Sequence, residues 1–575
     1  IFGVDGSIVV HDMYFQTPGT NGKAWHTILF APYGRGGAGF SVLEITNPKK
    51  PLHLYSIYND VINNRVYRVD HNQNIFAYDY ISGSYSMASL EEAIKATDNY
   101  NDNNSVSDTC NDSGSTSCYK SKVWTLPVQG LSKSDLKVIY NGNNYNRFSV
   151  STNSSGDTVL TFAHEMTYSA DPGDSNTSSE LGITLKPGSK ATGVQTNPEY
   201  DYSTLGQTWS DPRIFRIPNN GAGDTNIVDD VYVAAMGGGF GTQFEGVGSN
   251  LTIIDLEDLT NPGRLYAGVY DYNKNKGTPS ESRVLDIEDL AAGEIVNSTP
   301  GSAVLITPDT ARGISWSGAM LYLSDLEGKI TKFNLTNQTN DGAGNTIKMF
   351  DNTTLFTAGS SKANGRYMYH SMDATVGEKT NALWLFAGTG DYERINDTTT
   401  GVSNYLLGIK DPDYPLYREI KIPTKADDIT KCKNTTNDRN GAQCPQNADR
   451  GWYAVLENFG KVTAEPTVYR GTALFPIYVP TSSVNKCSLG DALLCARDDE
   501  CGTNLSEVVL GRNTGAHRQK KCLYVGQGVL SKVIVFADTY YINIAGQAKE
   551  GGDLVTGKVT GGSASTYRSS WKSNY

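Results

Sequence analysis

The amino-acid sequence predicts an all-β fold, best read as a β-propeller whose blades carry long loops. Three observations predict it. The 575 residues include 59 Gly and 34 Tyr but only 19% charged residues, a bias toward turn and strand formers over helix formers. A unit recurs along the chain: a short apolar strand, a glycine-rich turn, and a second strand with an Asp- or Thr-rich end. Eight cysteines fall in polar segments, as loop-stapling disulfides do.

The unit appears first as AWHTILFAPYGRGGAGFSVLEITNP, Ala24 to Pro48. It returns as QTWSDPRIFRIP, DDVYVAAMGGGF and NLTIIDLEDLTNP, Gln207 to Pro262. Later versions are GAMLYLSDLEGKITKFNL, NALWLFAGTGDYE with YLLGIKD, GWYAVLEN with AEPTVYRGTALFPIYVP, and LYVGQGVLSKVIVFADTYYINIAG. One unit alone cannot bury its apolar face, so neighbours must stack, and the glycines let strands turn tightly where sheets crowd. A set of β-sandwiches is the rival architecture.

The expected organisation is a first blade region at 1–59, an inserted or decorating region at 60–205, further blades at 206–546, and a Gly/Ser/Thr-rich tail at 547–575. The insertion starts helix-like at SLEEAIKA, becomes Asn/Asp-rich, and then offers strand-like pieces. The chain opens on the strand-like IFGVDGSIVV without a secretory leader, which predicts a processed or partial chain.

Charge excludes some functions. With 49 basic and 61 acidic side chains and a formal net charge of -12, the chain is no nucleic-acid binder. No apolar run reaches the roughly 18 residues of a membrane-spanning helix.

Cys110 and Cys118 flank one polar segment, and Cys432 and Cys444 another; each is expected to close a local disulfide. Cys487, Cys495, Cys501 and Cys522 crowd a third loop and allow three pairings. Their spacings do not match structural zinc sites. Disulfides imply an oxidising compartment. Twelve N-x-S/T sequons, including those at Asn250, Asn297, Asn334 and Asn434, are candidate glycosylation sites.

The foremost cation candidate is the loop NNGAGDTNIVDD. Asp224, Asn226 and Asp230 follow calcium-loop spacing, with Asn220 standing in for a first ligand. The competing reading is an Asx-rich turn, in which these side chains bond their own backbone. A second candidate is Asp271, Asn273 and Asn275. Catalytic signatures are missing: no H-E-x-x-H or G-x-S-x-G occurs, and the seven histidines are scattered. The runs GRGGAG and MGGGFG precede strands, so they read as tight turns and not as phosphate cradles. No Arg-Gly-Asp tripeptide occurs.

Taken in order, these segments resemble the C-terminal propeller of PilC/PilY-type proteins, the tip-associated adhesins of type IV pili. AWHTILFAPYGRGGAGFSVLEITNP looks like the family's opening blade, and WSDPRIFRIP with VAAMGGGF like its next. LYLSDLEGKITKFNL is similar to its Asp-hydrophobic-x-Gly strand pair, and LFAGTGDYE with LLGIKDP to its Gly-Thr-Gly-Arg-Tyr and Gly-Ile-x-Asp pair. GWYAVLEN, the Cys-rich final loop and the terminal SSWKSNY also have counterparts, whereas 60–205 has none.

The resemblance implies a modified β-propeller of about seven blades, with long disulfide-clipped loops and the inserted β-rich subdomain. It implies a pilus-tip or cell-surface location reached through the periplasm. It implies partners among minor pilins and a host-cell or abiotic surface ligand. It also implies calcium as a regulator of pilus extension. Where the family often carries its calcium loop, this chain reads TPDTARGISWSGAM with Asp309 as the one acid, so any calcium site has moved to 220–230 or is lost. The alternatives are a secreted propeller enzyme (a quinone-dependent dehydrogenase or glycosidase) and a lectin-like binding module, since propellers host all three.

Overall fold

The computed structural model describes residues 4–560, apart from 18–21, 63–64, 80–117, 130–131, 134–135, 141–142, 154–156, 170–180, 186–194, 197, 242–246, 267–283, 287–297, 309–313, 362, 400, 419–426, 439–443, 482–488 and 549–552. The described residues are all-β, and their only α-helices are the single turns Asp427–Thr430 and Ser506–Val509.

Five large antiparallel sheets follow one another along the chain. The first takes Val9–Phe15, Ala24–Pro32, Gly39–Glu44, Leu52–Asp60, Arg65–Asp70 and Ile75–Asp79 in chain order, and Gln195–Thr196 joins its far edge in parallel. The second is Arg213–Ile217, Val231–Gly237, Asn250–Asp255 and Val284–Asp286. The third is Val304–Ile306, Gly318–Ser324, Lys329–Thr336 and Asn352–Thr357. The fourth is Asp373–Val376, Leu383–Gly388, Tyr405–Asp411 and Gly451–Val455, with Cys432–Asn434 parallel at its edge. The fifth joins Lys461–Val462 and Thr467–Tyr469 to Thr472–Val479, Asp491–Asp498, Leu523–Leu530 and Thr539–Ala548. Two three-stranded sheets occupy the stretch from Cys118 to Leu185.

Each large sheet packs its face on the next, and each interface is a separate core. Phe30, Phe40, Ile57 and Tyr202 meet Ala234, Met236 and Ile254 between the first and second sheets. Val233 and Ile253 meet Leu321, Phe333 and Leu335 between the second and third. Met320, Tyr322 and Ile330 meet Leu385, Leu407 and Ile409 between the third and fourth. Trp384, Phe386 and Trp452 meet Phe475 and Ile477 between the fourth and fifth. A sheet covered on both faces buries both side-chain sets, which is why all eight residues of Lys329–Thr336 are buried.

The first strands and their approaches are also stitched to one another. Thr208 Oγ1 donates to the Gly39 carbonyl at 2.6 Å. The Asp211 amide donates to Ser302 Oγ, and the Ser302 amide to Ser371 Oγ, both at 2.7 Å. The Val468 amide donates to Asp373 Oδ2 at 2.7 Å, and Thr467 Oγ1 to the Val533 carbonyl at 2.7 Å. This line of contacts runs through all five sheets, as strands converging on an axis do. Five sheets in series are seen among the described residues; a closed ring of seven blades is not.

Two segments sit differently from the sequence expectation. GWYAVLEN was expected to open the fifth unit, but Gly451–Val455 pairs with Tyr405–Asp411 and closes the fourth sheet. The expected sixth unit is not separate: Leu523–Leu530 pairs with Asp491–Asp498 inside the fifth sheet. Two sequons are also set aside by burial. Asn250 and Asn334 are fully buried, and their amides donate to the Thr204 and Lys348 carbonyls.

Candidate functional site

The loop between the first two strands of the second sheet holds the foremost cation candidate. Asp224 Oδ2 accepts from the Asn220 amide at 3.1 Å and from Asn220 Nδ2 at 3.2 Å. Asp224 Oδ1 accepts from the Asn226 amide at 2.9 Å, and these bonds hold its carboxyl below the usual range. This is the geometry of an Asx turn. Asp230 stands beside it, its carboxyl pushed up to about 6 by burial and by the neighbouring Asp224 and Asp229, against the pull of Arg216. Among the described residues no three His, Cys, Asp or Glu side chains are grouped to hold a metal ion. A cation here would need Asn220 to present its carbonyl oxygen in place of its N–H. Asp271, Asn273, Asn275 and Asp309 lie outside the described residues.

The cysteines correct one expectation. Cys444 is bonded to Cys501, not to Cys432, and Cys495 is bonded to Cys522. The reason is topological. Cys432 is buried in the core between the third and fourth sheets, while Cys501 lies in the turn after Asp491–Asp498, where the fifth sheet meets the fourth. The bridge therefore joins two sheets and does not clip one loop. Cys110, Cys487 and the side chain of Cys118 lie outside the described residues.

A second site was not foreseen. In the first four sheets, the connection from second to third strand contains glycine, and its described residues are 33–38, 238–241 with 247–249, 325–328, and 389–399 with 401–404. Residues from these connections and from the segments leading into the second and fourth sheets meet at one end of the stitched axis. Trp209 stacks on Phe240 at 5.5 Å and 19°, and Phe240 contacts Tyr369 at 6.1 Å. Tyr369 contacts Tyr392 at 6.3 Å, and His370 meets Tyr392 edge-on at 5.3 Å. Leu326 and Tyr367 complete the apolar floor.

Charged groups rim the rings. Arg35 lies over Trp209 at 4.9 Å, and its charge is felt at Glu393 on the fourth sheet. Arg394 Nε donates to Asp391 Oδ2 at 2.6 Å. Burial pushes His370 down to about 4, so its imidazole is neutral at physiological pH.

The turn glycines are needed here for backbone shape. Gly239 has φ +85°, and a Cβ on it would sit 2.1 Å from the Gln207 carbonyl oxygen. This is the tight-turn role expected of the MGGGFG run. The clue available in sequence was an aromatic residue directly after two of these runs, Phe240 in MGGGF and Tyr392 in GTGDY.

No family model matches the chain, and no curated protein matches it. Among solved structures it is similar to the Pseudomonas aeruginosa PilY1 C-terminal domain, at 13% identity and a TM-score of 0.47 over 97% of this chain and 84% of that one. It is also similar to BBS1N from a complex with ARL6DN, at 10% identity and a TM-score of 0.21 over 61% of this chain and 80% of that one. Both TM-scores lie below 0.5, so neither likeness decides fold or function.

Proposed function

We propose that the chain is a type IV pilus tip-associated adhesin and assembly factor of the PilC/PilY type, which caps or primes the pilus and attaches it to a surface. One observation carries the reading. Four of the segments that resemble the family fall on successive large sheets in the family's order, on the second and third strands of the first, third and fourth sheets and on the first and second strands of the second. A strand, a glycine-containing connection and a next strand recur in each, which supports reading them as one repeated unit. The two disulfides suit export through an oxidising periplasm. No helix among the described residues is long and apolar enough to cross a membrane.

Minor pilins and a surface ligand are the partners in this reading, and the role is binding rather than catalysis. A quinone absorbance in the purified protein, or turnover of glycosides, would overturn that part. Calcium is the proposed regulator, with Asn220, Asp224, Asn226 and Asp230 as its ligands. Isothermal titration should then show calcium binding that Asp224→Ala and Asp230→Ala abolish. Binding that survives both substitutions rejects this loop. Deletion of the gene should reduce piliation or attachment, and immunogold labelling should find the protein at the tips of sheared pili. Normal pili with normal adhesion would refute the proposal.

A further inference from the structure

Where the fourth sheet meets the fifth, an open cleft of about 690 Å³ is lined by residues 436–438, just after the edge strand Cys432–Asn434, and by residues of the fifth sheet between Asn504 and Leu523. Four of its side chains are cationic, Arg512, Arg518, Lys520 and Lys521, and two are acidic, Asp438 and Glu507. The sequence concentrates this charge: residues 508–537 contain no Asp or Glu, in a chain of formal net charge -12. The cations are within reach of solvent, with Arg512 82% and Lys521 40% exposed. Their backbone is held in place. Asn513 Nδ2 donates to the Cys522 carbonyl at 2.7 Å and to the Lys520 carbonyl at 3.3 Å, while its Oδ1 accepts from the Tyr524 amide at 2.8 Å. Asn504 Nδ2 donates to the Lys521 carbonyl at 3.0 Å, and Cys522 is bonded to Cys495.

The chemistry of the occupant follows from these groups. Lys520 pairs with Asp491, Lys521 with Glu457, Arg512 with Glu507, and Lys433 with Asp438. Such pairs near the surface contribute little to stability, so a ligand anion can take the place of the acid. Arg518 is exposed and makes no ion pair among the described residues. A peptide would need free backbone partners or apolar pockets. The carbonyls of Lys520, Lys521 and Cys522 already accept side-chain amides, and Val508 and Leu523 are the only aliphatic side chains among the described lining residues. A nucleic acid would need free ring faces, but the adjacent Tyr524 is already stacked on His517, with centroids 3.5 Å apart. A sugar chain bearing sulfate or carboxylate groups needs only what the cleft offers. The Arg forks and Lys ammonium groups meet its anions, and the side-chain amides of Asn437 and Gln519 meet its hydroxyls.

We infer that this cleft binds an acidic polysaccharide through the sulfate or carboxylate groups of its sugars. Arg518 takes one anion directly, and Arg512, Lys520 and Lys521 exchange their carboxylate partners for the others. The inference rests on the attachment reading and names the class of surface ligand. It also gives a chain of net negative charge one place where a polyanion is attracted and not repelled.

The test is fluorescence polarisation of the full chain with a labelled heparin oligosaccharide, and with the same oligosaccharide desulfated so that only its carboxylates remain. Binding of either supports the inference, and the difference between them says which anion is recognised. Affinity should fall steeply as salt is raised. Arg518→Gln should weaken binding about tenfold, and Arg518→Gln with Lys521→Gln about a hundredfold, the loss of one and two charge-assisted hydrogen bonds. Lys49→Gln with Lys50→Gln removes the same charge from an exposed turn before the fourth strand of the first sheet and should leave binding unchanged. No binding of either oligosaccharide by the folded chain overturns the inference. Binding within twofold of the parent in the Arg518/Lys521 variant, or an equal loss in the Lys49/Lys50 variant, also overturns it. So does a poly-glutamate peptide, an oligothymidylate or neutral dextran that binds as tightly as the acidic sugars. Loss of piliation on deletion without oligosaccharide binding would keep the pilus reading and remove this site. Oligosaccharide binding lost in the Arg518/Lys521 variant, with normal pili and normal attachment on deletion, would do the reverse.

Discussion

Lys332 and Asp411 join the third and fourth sheets inside their shared core. Both side chains are fully buried, and Lys332 Nζ lies 2.6 Å from Asp411 Oδ2. Tyr322 donates its hydroxyl to the same carboxylate oxygen at 2.6 Å, and Lys332 also donates to the Leu416 carbonyl at 2.9 Å. Lys332→Met leaves a buried carboxylate with no cation, held by the Tyr322 hydroxyl and the Asp413 amide, and Asp411→Leu leaves a buried ammonium. Breaking such a pair from one side costs about 3–5 kcal/mol, whereas replacing both members with apolar residues is near neutral. The singles should therefore each lose about 3–5 kcal/mol, and the double variant should stay within about 1–2 kcal/mol of the parent. Urea unfolding followed by tryptophan fluorescence reports this directly, because Trp316 lies in the same core. Single losses under about 1 kcal/mol, the scale of an exposed pair, would refute the buried geometry. So would losses that simply add in the double variant.

Three further outcomes are expected. Gly239→Ala should destabilise by about 2 kcal/mol or more, because it combines a left-handed backbone with a Cβ 2.1 Å from a carbonyl oxygen; a thermal midpoint equal to the parent's would contradict this. His370 titrates near 6.5 when unfolded and at about 4 when folded. Between these values only the unfolded chain binds the proton, so this contribution is full above pH 6.5 and is lost as pH falls toward 4. His370→Gln should flatten that part of the stability profile, and an unchanged slope would count against a neutral buried imidazole. Non-reducing peptide mapping should recover Cys444 joined to Cys501 and Cys495 joined to Cys522. Loop-closure entropy gives these bonds about 4 and about 3.5 kcal/mol for their separations of 57 and 27 residues. A Cys432–Cys444 peptide would refute the connectivity.

Local patterns were readable from the residues where strand, glycine turn and strand follow within a short stretch. The pairs Ala24–Pro32 with Gly39–Glu44 and Gly318–Ser324 with Lys329–Thr336 are such cases. The outer strand of a sheet was less readable. Gly451–Val455 reaches Tyr405–Asp411 only after a long excursion, so nothing adjacent in sequence marks the partnership. Composition also misleads in KITKFNLT, where two lysines three apart, one on each face of the strand, suggest exposure. Both are buried because a sheet lies on each side and the ammonium groups find carboxylates there. The axial site escaped for the same reason. Trp209, Phe240, His370 and Tyr392 are scattered in sequence, and only the stacking of successive sheets gathers them.

The Cys444–Cys501 bond has a mechanical meaning for a chain under tension. It ties the fourth sheet to the fifth and encloses a 57-residue separation. A force pulling on the two ends would have to bypass that loop, because the covalent bridge takes the load in its place. The enclosed segment would add roughly 200 Å of extended chain if released. While the bond is intact, that length stays hidden, and stretching cannot pay out the strands between its two ends.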